Sequence, residues 1–188
     1  MPHFPSGTVI YSGMIIVAWS DTGVIIALLP FILENHHLGA WTGTMVFLAI
    51  STGVLVQPLA RRLSPLCSIK TGMLLLPLSF FFLFIGAWHG MISLVLIGAT
   101  LGGISSFGFS YIGGLSAVIH ASQNETARAV SGYFLSAYLG LGVTTILVGS
   151  LGRIFGLYYP LFTYGIFLIL INAVLWVRIN SVEKLLQI

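Results

Sequence analysis

Residues 8–33 read TVIYSGMIIVAWSDTGVIIALLPFIL, and this stretch decides the class of protein. It is an apolar run of membrane-spanning length that carries a single charged side chain, Asp21. A helix needs about 20 mostly apolar residues to cross the hydrocarbon core of a bilayer. Five further stretches of this kind follow. We predict six transmembrane helices, at roughly 8–33, 40–60, 70–88, 91–118, 128–152 and 158–178.

The composition of the chain supports this class. Charged residues make up 6% of the 188 residues, hydrophobic residues make up 57%, and the mean hydropathy is +1.07. Soluble proteins carry about 25% charged residues. Four acidic and seven basic side chains cannot cover the surface of a soluble domain, so soluble enzymes and disordered chains are excluded. The net charge of +3 forms no dense basic patch, and we expect no nucleic-acid partner.

The connections between the predicted helices are short and leave no room for a domain outside the membrane. We therefore expect one six-helix domain over residues 1–188. Its transmembrane helices are expected to lie within residues 8–119 and 120–180. The predicted fold class is an all-α polytopic membrane protein.

Glycine positions suggest an internal repeat. Glycines recur at an offset of 89 residues, as in Gly13 and Gly102. We predict two three-helix repeats that divide near residues 89–91. Because each repeat has an odd number of crossings, the two would be inverted relative to each other, an arrangement common among transporters.

The Lys and Arg residues set the expected orientation, because positively charged loops stay in the cytoplasm. If the N-terminus is inside, only Arg153 of the basic residues falls outside. We therefore expect both termini in the cytoplasm, and we expect the chain to lie in a bacterial inner (plasma) membrane. The basic residues on the inside are Arg61, Arg62, Lys70, Arg128, Arg178 and Lys184.

Asp21 is the first candidate for a functional group. It lies near the middle of the first predicted helix, about 18 Å from either end at a rise of about 1.5 Å per residue. A carboxylate at this depth costs about 2.5–3.5 kcal/mol, so it needs water, a partner or a proton. Two interpretations stay open. Asp21 is either a proton-coupling group in a cavity, whose protonation lowers the cost of closing the site, or a structural hydrogen-bonding group.

Polar and aromatic side chains on the first and fourth predicted helices could line a cavity around Asp21. A largely apolar pocket with few convergent polar groups is typical of small-molecule sites. Taken singly, each of these side chains more often serves packing or a hydrogen bond to the backbone. The candidates are Tyr11, Trp19, Ser20, Thr22, Thr100, Ser105, Ser106, Ser110 and Tyr111, with Gln57 and Tyr138 in second rank.

Small residues indicate which helices pack most closely. The fifth predicted helix carries Gly132, Ser136 and Gly140 at four-residue spacing, and the fourth is rich in glycine and serine. Such residues let helix backbones approach, since lipid gives no hydrophobic drive for association. We expect helices one, two, four and five to be buried or to line the cavity. Helices three and six are apolar nearly all round, and we expect them to face lipid.

Two regions of the chain carry the segments of a known family. The first contains GAWTG (39–43), GVLVQPLARRL (53–63) and KTG (70–72), and the second contains RAVSGYF (128–134) and YLGLG (138–142). These two regions resemble the major facilitator superfamily. One is similar to the second and third helices of a half-transporter, and the other to the penultimate helix of the C-terminal half. The resemblance covers almost the whole chain but only half of a twelve-helix transporter. An acidic residue of the family's loop pattern is replaced near Gln57 or Pro58, and the basic pair Arg61-Arg62 remains.

The resemblance implies the C-terminal half of a secondary transporter that moves a small molecule by alternating access. The first and fourth helices would then line the central cavity, and the second and fifth would contact the other half. That half would be a second copy of the chain or a separate six-helix chain, unless the protein is a truncated remnant. The small residues expected at the contact between halves are Gly43, Gly53, Gly132, Ser136 and Gly140.

An alternative to transport is a membrane interaction or assembly protein that does not transport. An intramembrane serine protease is not expected, because its histidine base must lie on a spanning helix. His36 and His37 lie beside Glu34, but no further ligand is near them in the sequence. We therefore expect no metal and no cofactor. All histidines lie in predicted loops or helix ends: His3, His36, His37, His89 and His120.

Overall fold

The structure, a computed structural model, describes residues 7–122 and 125–186, with side chains described up to residue 181. His3 and the side chain of Lys184 lie outside this part. The described chain is helical and contains no strand, which confirms the predicted all-α class with six helices of membrane-spanning length. These helices are α1 (Val9–Asn35), α2 (Gly39–Ala60), α3 (Pro65–His89), α4 (Ile92–Ala121), α5 (Thr126–Phe155) and α6 (Tyr158–Leu186).

Helix α3 begins at Pro65, five residues before its predicted start at residue 70. The hydroxyl of Ser64 accepts a hydrogen bond from the Cys67 N–H at 3.3 Å, and Pro65 occupies the first turn, where its missing N–H costs nothing. Gly90 ends the helix with φ of +65°, a conformation that glycine adopts without strain. Lys70 therefore lies inside α3 and not in a loop.

A π-helical turn over Ile104–Ser110 makes α4 the hub of the bundle. A wider turn of this kind leaves main-chain carbonyls without their usual helical partners. Side chains from three neighbouring helices, α2, α3 and α5, donate to carbonyls in or beside this turn and so attach those helices to α4. The bonds run from Gln57 to Phe107 O (3.2 Å), from Ser68 to Phe109 O (2.9 Å), and from Tyr133 to Ser110 O and Tyr111 O (3.2 Å each).

Burial differs strongly among the six helices. In the apolar stretch of α1, 72% of the residues are buried, compared with 22% in both α2 and α5. Helix α3 reaches 44% and α6 reaches 33%. The expectation that α3 belongs to a lipid-facing outer set was therefore wrong, because α3 is twice as buried as α2 or α5.

Glycines explain why α3 is buried. A Cβ on Gly98 of α4 would lie 2.7 Å from the Leu83 backbone nitrogen, and one on Gly113 would lie 2.9 Å from that of Ile69. The α4 backbone therefore rests directly on α3 at both ends of the contact, with no room for a larger residue. The apolar composition of α3 concealed this contact, since it is made by the glycines of the opposite helix.

The small residues expected at a contact between halves have other neighbours within the chain. A Cβ on Gly53 would lie 2.6 Å from Gly103 O in α4, and one on Gly140 would meet Ile16 O in α1. Ser136 donates to Gly132 O at 3.0 Å, and both residues are buried. Gly43 has open space, with no atom within 4 Å of its Cβ position. Their role in contacting a second half stays a prediction.

Candidate functional site

Two buried polar atoms on α1 have no hydrogen-bond partner among the described residues. They are Asp21 Oδ1 and Trp19 Nε1. Buried polar atoms are nearly always paired, so each one needs an explanation. Since the two residues are two apart in a helix, they face different sides of α1. Asp21 faces α3 and α4, whereas Trp19 faces α4 and α5.

The first side is the carboxyl site, formed by Asp21, Ser79, Gly98 and Gly102. Asp21 has no exposed surface, and its Oδ2 lies 3.4 Å from Ser79 Oγ. Ser79 Oγ lies 2.9 Å from Gly98 O, which is the nearer acceptor. A hydroxyl has one hydrogen, so Ser79 can donate fully to Gly98 O or to Asp21 Oδ2 but not to both. The Asp21 carboxyl therefore has at most one donor, which it shares with Gly98 O.

Gly102 allows the backbone of α4 to approach this carboxyl. A Cβ at Gly102 would lie 2.7 Å from Ser79 Oγ, 2.7 Å from Ile25 Cδ1 and 3.3 Å from Asp21 Oδ2. No side chain fits there without moving α1 or α3. The carboxyl site is thus closed on three sides by α1, α3 and α4.

The second side is the aromatic site, formed by Trp19, Phe107, Tyr111 and Tyr138. The ring centroid of Trp19 lies 5.6 Å from that of Phe107 and 5.4 Å from that of Tyr138, with both rings edge-to-face. The ring of Tyr111 is tilted and lies 6.5 Å away. Phe107 and Tyr111 are four residues apart at the π turn of α4, so they share one face of that helix.

The aromatic site opens to the surface of the bundle. Trp19 is 8% exposed, whereas Tyr138 beside it is 63% exposed. The hydroxyls of Tyr111 and Tyr138 make no hydrogen bond within the described ranges. None of the four side chains is charged. The arrangement presents an aromatic surface through Tyr138, with the unpartnered Trp19 Nε1 buried beneath it.

The predicted hydroxyl-bearing residues are used in helix packing. Ser105 and Ser106 have no exposed surface, and each donates to a carbonyl on a neighbouring helix. Ser20 joins α1 to α6 through the hydroxyl of Tyr164. Tyr11 and Ser110 are buried. The bonds are Ser105 to Gly72 O (2.8 Å), Ser106 to Ala18 O (2.8 Å), Ser20 to Tyr164 (2.7 Å), Thr22 to Ala18 O (3.4 Å) and Thr100 to Leu96 O (2.8 Å).

The structure therefore brings together Trp19, Tyr111 and Tyr138 of the predicted residues, and it separates Asp21 from them. Sequence reasoning missed Phe107 and Ser79. Phe107 had a readable signal, because it precedes Tyr111 by four residues. Ser79 stood out only as a hydroxyl in an otherwise apolar helix.

Within residues 7–122 and 125–186, no three His, Cys, Asp or Glu side chains lie close enough together to hold a metal ion. His36 Nε2 lies 3.0 Å from the Tyr158 hydroxyl, which joins the loop after α1 to the start of α6.

Comparison with known proteins assigns this chain to no family. No protein-family model, no curated protein and no solved structure matches this chain. The resemblance to the major facilitator superfamily stays a prediction that rests on sequence segments alone.

Proposed function

We propose that the chain is one six-helix half of a secondary transporter for a small molecule. A second copy, or a separate six-helix chain, would supply the other half. The aromatic site would form this half's share of the central binding site. The observation that carries the proposal is the low burial of α2 and α5, each 22% buried in its apolar stretch against 72% for α1.

The uneven burial of the helices supports a missing counterpart. Helices α2 and α5 are less than a third as buried as α1, and they are also less buried than α6. Exposed large side chains lie on both, including Phe47 and Leu55 of α2 and Leu139 and Ile146 of α5. In a transporter of two halves these two helices would meet the other half, and the aromatic site beside α5 would face it.

Reciprocal helix contacts support the proposed inverted repeats. Gly53 of α2 meets Gly103 O of α4, and Gly140 of α5 meets Ile16 O of α1. Gly53 and Gly140 are 87 residues apart, and so are Ile16 and Gly103. The same contact thus occurs twice with the helices exchanged, as an inverted repeat requires. This register replaces the offset of 89 residues expected from the sequence, since Gly13 and Gly102 have unrelated neighbours.

The proposed orientation keeps both termini in the cytoplasm. It rests on the distribution of basic residues alone. A parallel dimer with its two-fold axis along the membrane normal then brings α2 of one copy against α5 of the other. Alternating access would arise when the two halves rock about the aromatic sites between them.

Asp21 is proposed as the proton-coupling group, acting from inside the half. A neutral carboxyl is compatible with the closed carboxyl site, and a charged one would need water or a new partner. Loss of its proton would therefore disfavour the contact of α1 with α3 and α4. Asp21→Asn should abolish proton-coupled uptake or efflux while leaving insertion intact, whereas unchanged coupling in this variant would remove Asp21 from the mechanism.

One observation favours a rival function, a membrane assembly protein that does not transport. Asp21 is sealed inside the chain's own bundle and its hydrogen bond to Ser79 has a purely structural explanation. In that case α2 and α5 would bind a different membrane protein. Transport and assembly differ in what covers these two helices.

Cross-linking tests the proposal directly. In a Cys67→Ala background, Ile50→Cys on α2 and Leu139→Cys on α5 are exposed positions near the middle of their helices. Leu170→Cys on α6 is the matched control, exposed at a similar depth. Bifunctional maleimides in native membranes should join α2 or α5 positions to a second copy or to a six-helix chain, identified by mass spectrometry. A solitary chain, or cross-links to a protein of another kind, would contradict the proposal.

A further inference from the structure

We propose that a cavity between α1 and α5 binds an anionic phospholipid, with its phosphate against Arg153 and Ser150. This site goes beyond the proposed transport function and involves neither Asp21 nor Trp19. The cavity has a volume of about 480 Å³ and lies toward the ends of α1 and α5. Its size falls within the range of small-molecule sites, about 300–1,000 Å³.

One face of α5 forms most of the cavity. Ile146, Gly149, Ser150 and Arg153 follow the spacing i, i+3, i+4 and i+7, which places them on the same side of the helix. All four line the cavity, and α1 contributes Phe31, which is 61% exposed. The cavity therefore combines polar and apolar surface.

Two polar side chains of this face have no partner among the described residues. A basic residue in the last turn of a helix often bonds to the free carbonyls there, but Arg153 makes no such bond and no ion pair in the described ranges. Ser131, Ser136 and Thr145 of α5 each donate to the carbonyl four residues earlier. The Ser150 hydroxyl makes no hydrogen bond of this kind to a described residue. Both groups can therefore donate to a ligand.

The charge of the cavity selects an anion. Among the described residues that line it, Arg153 alone is charged, and a guanidinium can donate two parallel hydrogen bonds to a phosphate. Ser150 precedes Arg153 by three residues, so the two are neighbours on the helix surface and both can donate to one phosphate. Glu34, the acidic residue near the end of α1, does not line the cavity.

The position of the cavity selects a lipid. Arg153 lies two residues before the end of α5 at Phe155, where a spanning helix reaches the headgroup region. From Arg153 the lining extends back to Thr145, about 12 Å deeper at a rise of about 1.5 Å per residue. Ile146 lies at this deeper end and is 68% exposed. A phosphate at Arg153 with an acyl chain beside Ile146 would occupy both parts, as in other basic cavities between transmembrane helices.

Native mass spectrometry in a neutral detergent tests the proposal on the full chain, with any partner that copurifies. The probes are phosphatidylglycerol and phosphatidylcholine with the same two acyl chains. Both contain a phosphate, but the choline cation balances its charge in the second lipid. The first bound phosphatidylglycerol should bind about fivefold more tightly than phosphatidylcholine, the ratio expected from one partly exposed ion pair. Equal affinity for the two lipids would overturn the inference.

One pair of variants tests the charge. Arg153→Gln should erase the preference for phosphatidylglycerol. The matched control is Arg128→Gln near the start of the same helix, where Arg128 pairs with Glu125 at 2.9 Å, and it should preserve the preference. An undiminished preference in Arg153→Gln, or an equal loss in both variants, would show that Arg153 does not form the site.

A second pair tests the shape. A Cβ at Gly149 would lie 3.3 Å from Leu28 Cδ2, so Gly149→Leu would fill the cavity and should abolish the preferred binding. Gly142→Leu is the matched control on the same helix, because nothing lies within 4 Å of a Cβ there, and it should leave the preference unchanged. Circular dichroism checks that both variants keep their helices. Preferred binding that survives in a folded Gly149→Leu variant would contradict a site in this cavity.

Glycerol phosphate separates a lipid from a soluble phosphate. It carries the headgroup chemistry without acyl chains, so it should not displace phosphatidylglycerol at the concentrations that saturate the lipid site. Displacement at equal concentration would assign the cavity to a soluble anion and overturn the lipid inference. Selective lipid binding by a chain that never pairs with a second half would refute transport alone, and a paired chain without selectivity would refute this inference alone.

Discussion

The carboxyl site and the aromatic site lie on opposite sides of the same helix, and they differ in almost every physical respect. The carboxyl site is closed by glycine on α4 and serine on α3, and its acidic group has no exposed surface. The aromatic site ends in Tyr138, most of whose side chain is exposed. Both contain one orphaned polar atom.

The comparison shows that the consequence of a buried polar atom without a hydrogen-bond partner depends on the residues around it. At the carboxyl site no space remains for a ligand. The unpartnered Asp21 Oδ1 therefore bears on the protonation of Asp21 and on the packing of α1. At the aromatic site the orphaned Nε1 is also buried, but the neighbouring ring of Tyr138 is largely exposed at the surface. Substitutions at the first site should therefore change stability more than those at the second.

The largest effect is expected for Gly102→Leu. The new side chain would overlap Ile25 and Ser79, and overpacking of this kind costs about 1–3 kcal/mol or more in the free energy of unfolding. Gly142→Leu is the matched control, because nothing lies within 4 Å of a Cβ at Gly142. Unfolding by denaturant in detergent micelles should separate the two variants. Equal stability would contradict the closed geometry of the carboxyl site.

A smaller effect is expected for substitutions of Asp21. Asp21→Ala removes the contact with Ser79 and leaves a void, which should cost about 1–3 kcal/mol in the free energy of unfolding. Asp21→Asn keeps the shape and an amide oxygen that can accept from Ser79, so it should cost less than about 1 kcal/mol. The same unfolding measurement compares them. If Asp21→Asn were as destabilising as Asp21→Ala, the contact with Ser79 would not be what stabilises the carboxyl site.

The smallest effect on stability is expected for Trp19→Phe. The Nε1 atom has no partner to lose, and a ring remains against Phe107 and Tyr138. The free energy of unfolding should fall by about 1 kcal/mol or less, through the smaller ring alone. A loss as large as that of Gly102→Leu would mean that Trp19 is a packing residue and that the two sites do not differ as described.

The sequence predicted the six helices because the bilayer imposes a length and an apolar composition that few residues violate. It also singled out Asp21, since an acid at this depth is rare. It could not show which way Asp21 faces, because one residue shifts a side chain by about 100° around a helix. The direction depends on contacts such as Gly102 with Ser79, which lie on other helices.

The placement of α3 shows the same limit. Its apolar composition predicted lipid contact, yet glycines of α4 bring it into the bundle. Composition describes a helix alone, whereas burial depends on its neighbours. Trp19, Tyr111 and Tyr138 were recognised as candidates from residue type, but their assembly with Phe107 depends on the π turn at Ile104–Ser110, which the sequence did not predict.

The most direct measurement of the central claim is the reactivity of Tyr138→Cys with a hydrophilic, membrane-impermeant maleimide, in a Cys67→Ala background and in native membranes. Leu170→Cys on α6 is the control, because it is similarly exposed and should face lipid. A half-transporter places Tyr138 against a water-filled cavity, so Tyr138→Cys should react and Leu170→Cys should not. If Tyr138→Cys is as unreactive as Leu170→Cys from both sides of the membrane, the aromatic site is not part of a transport pathway.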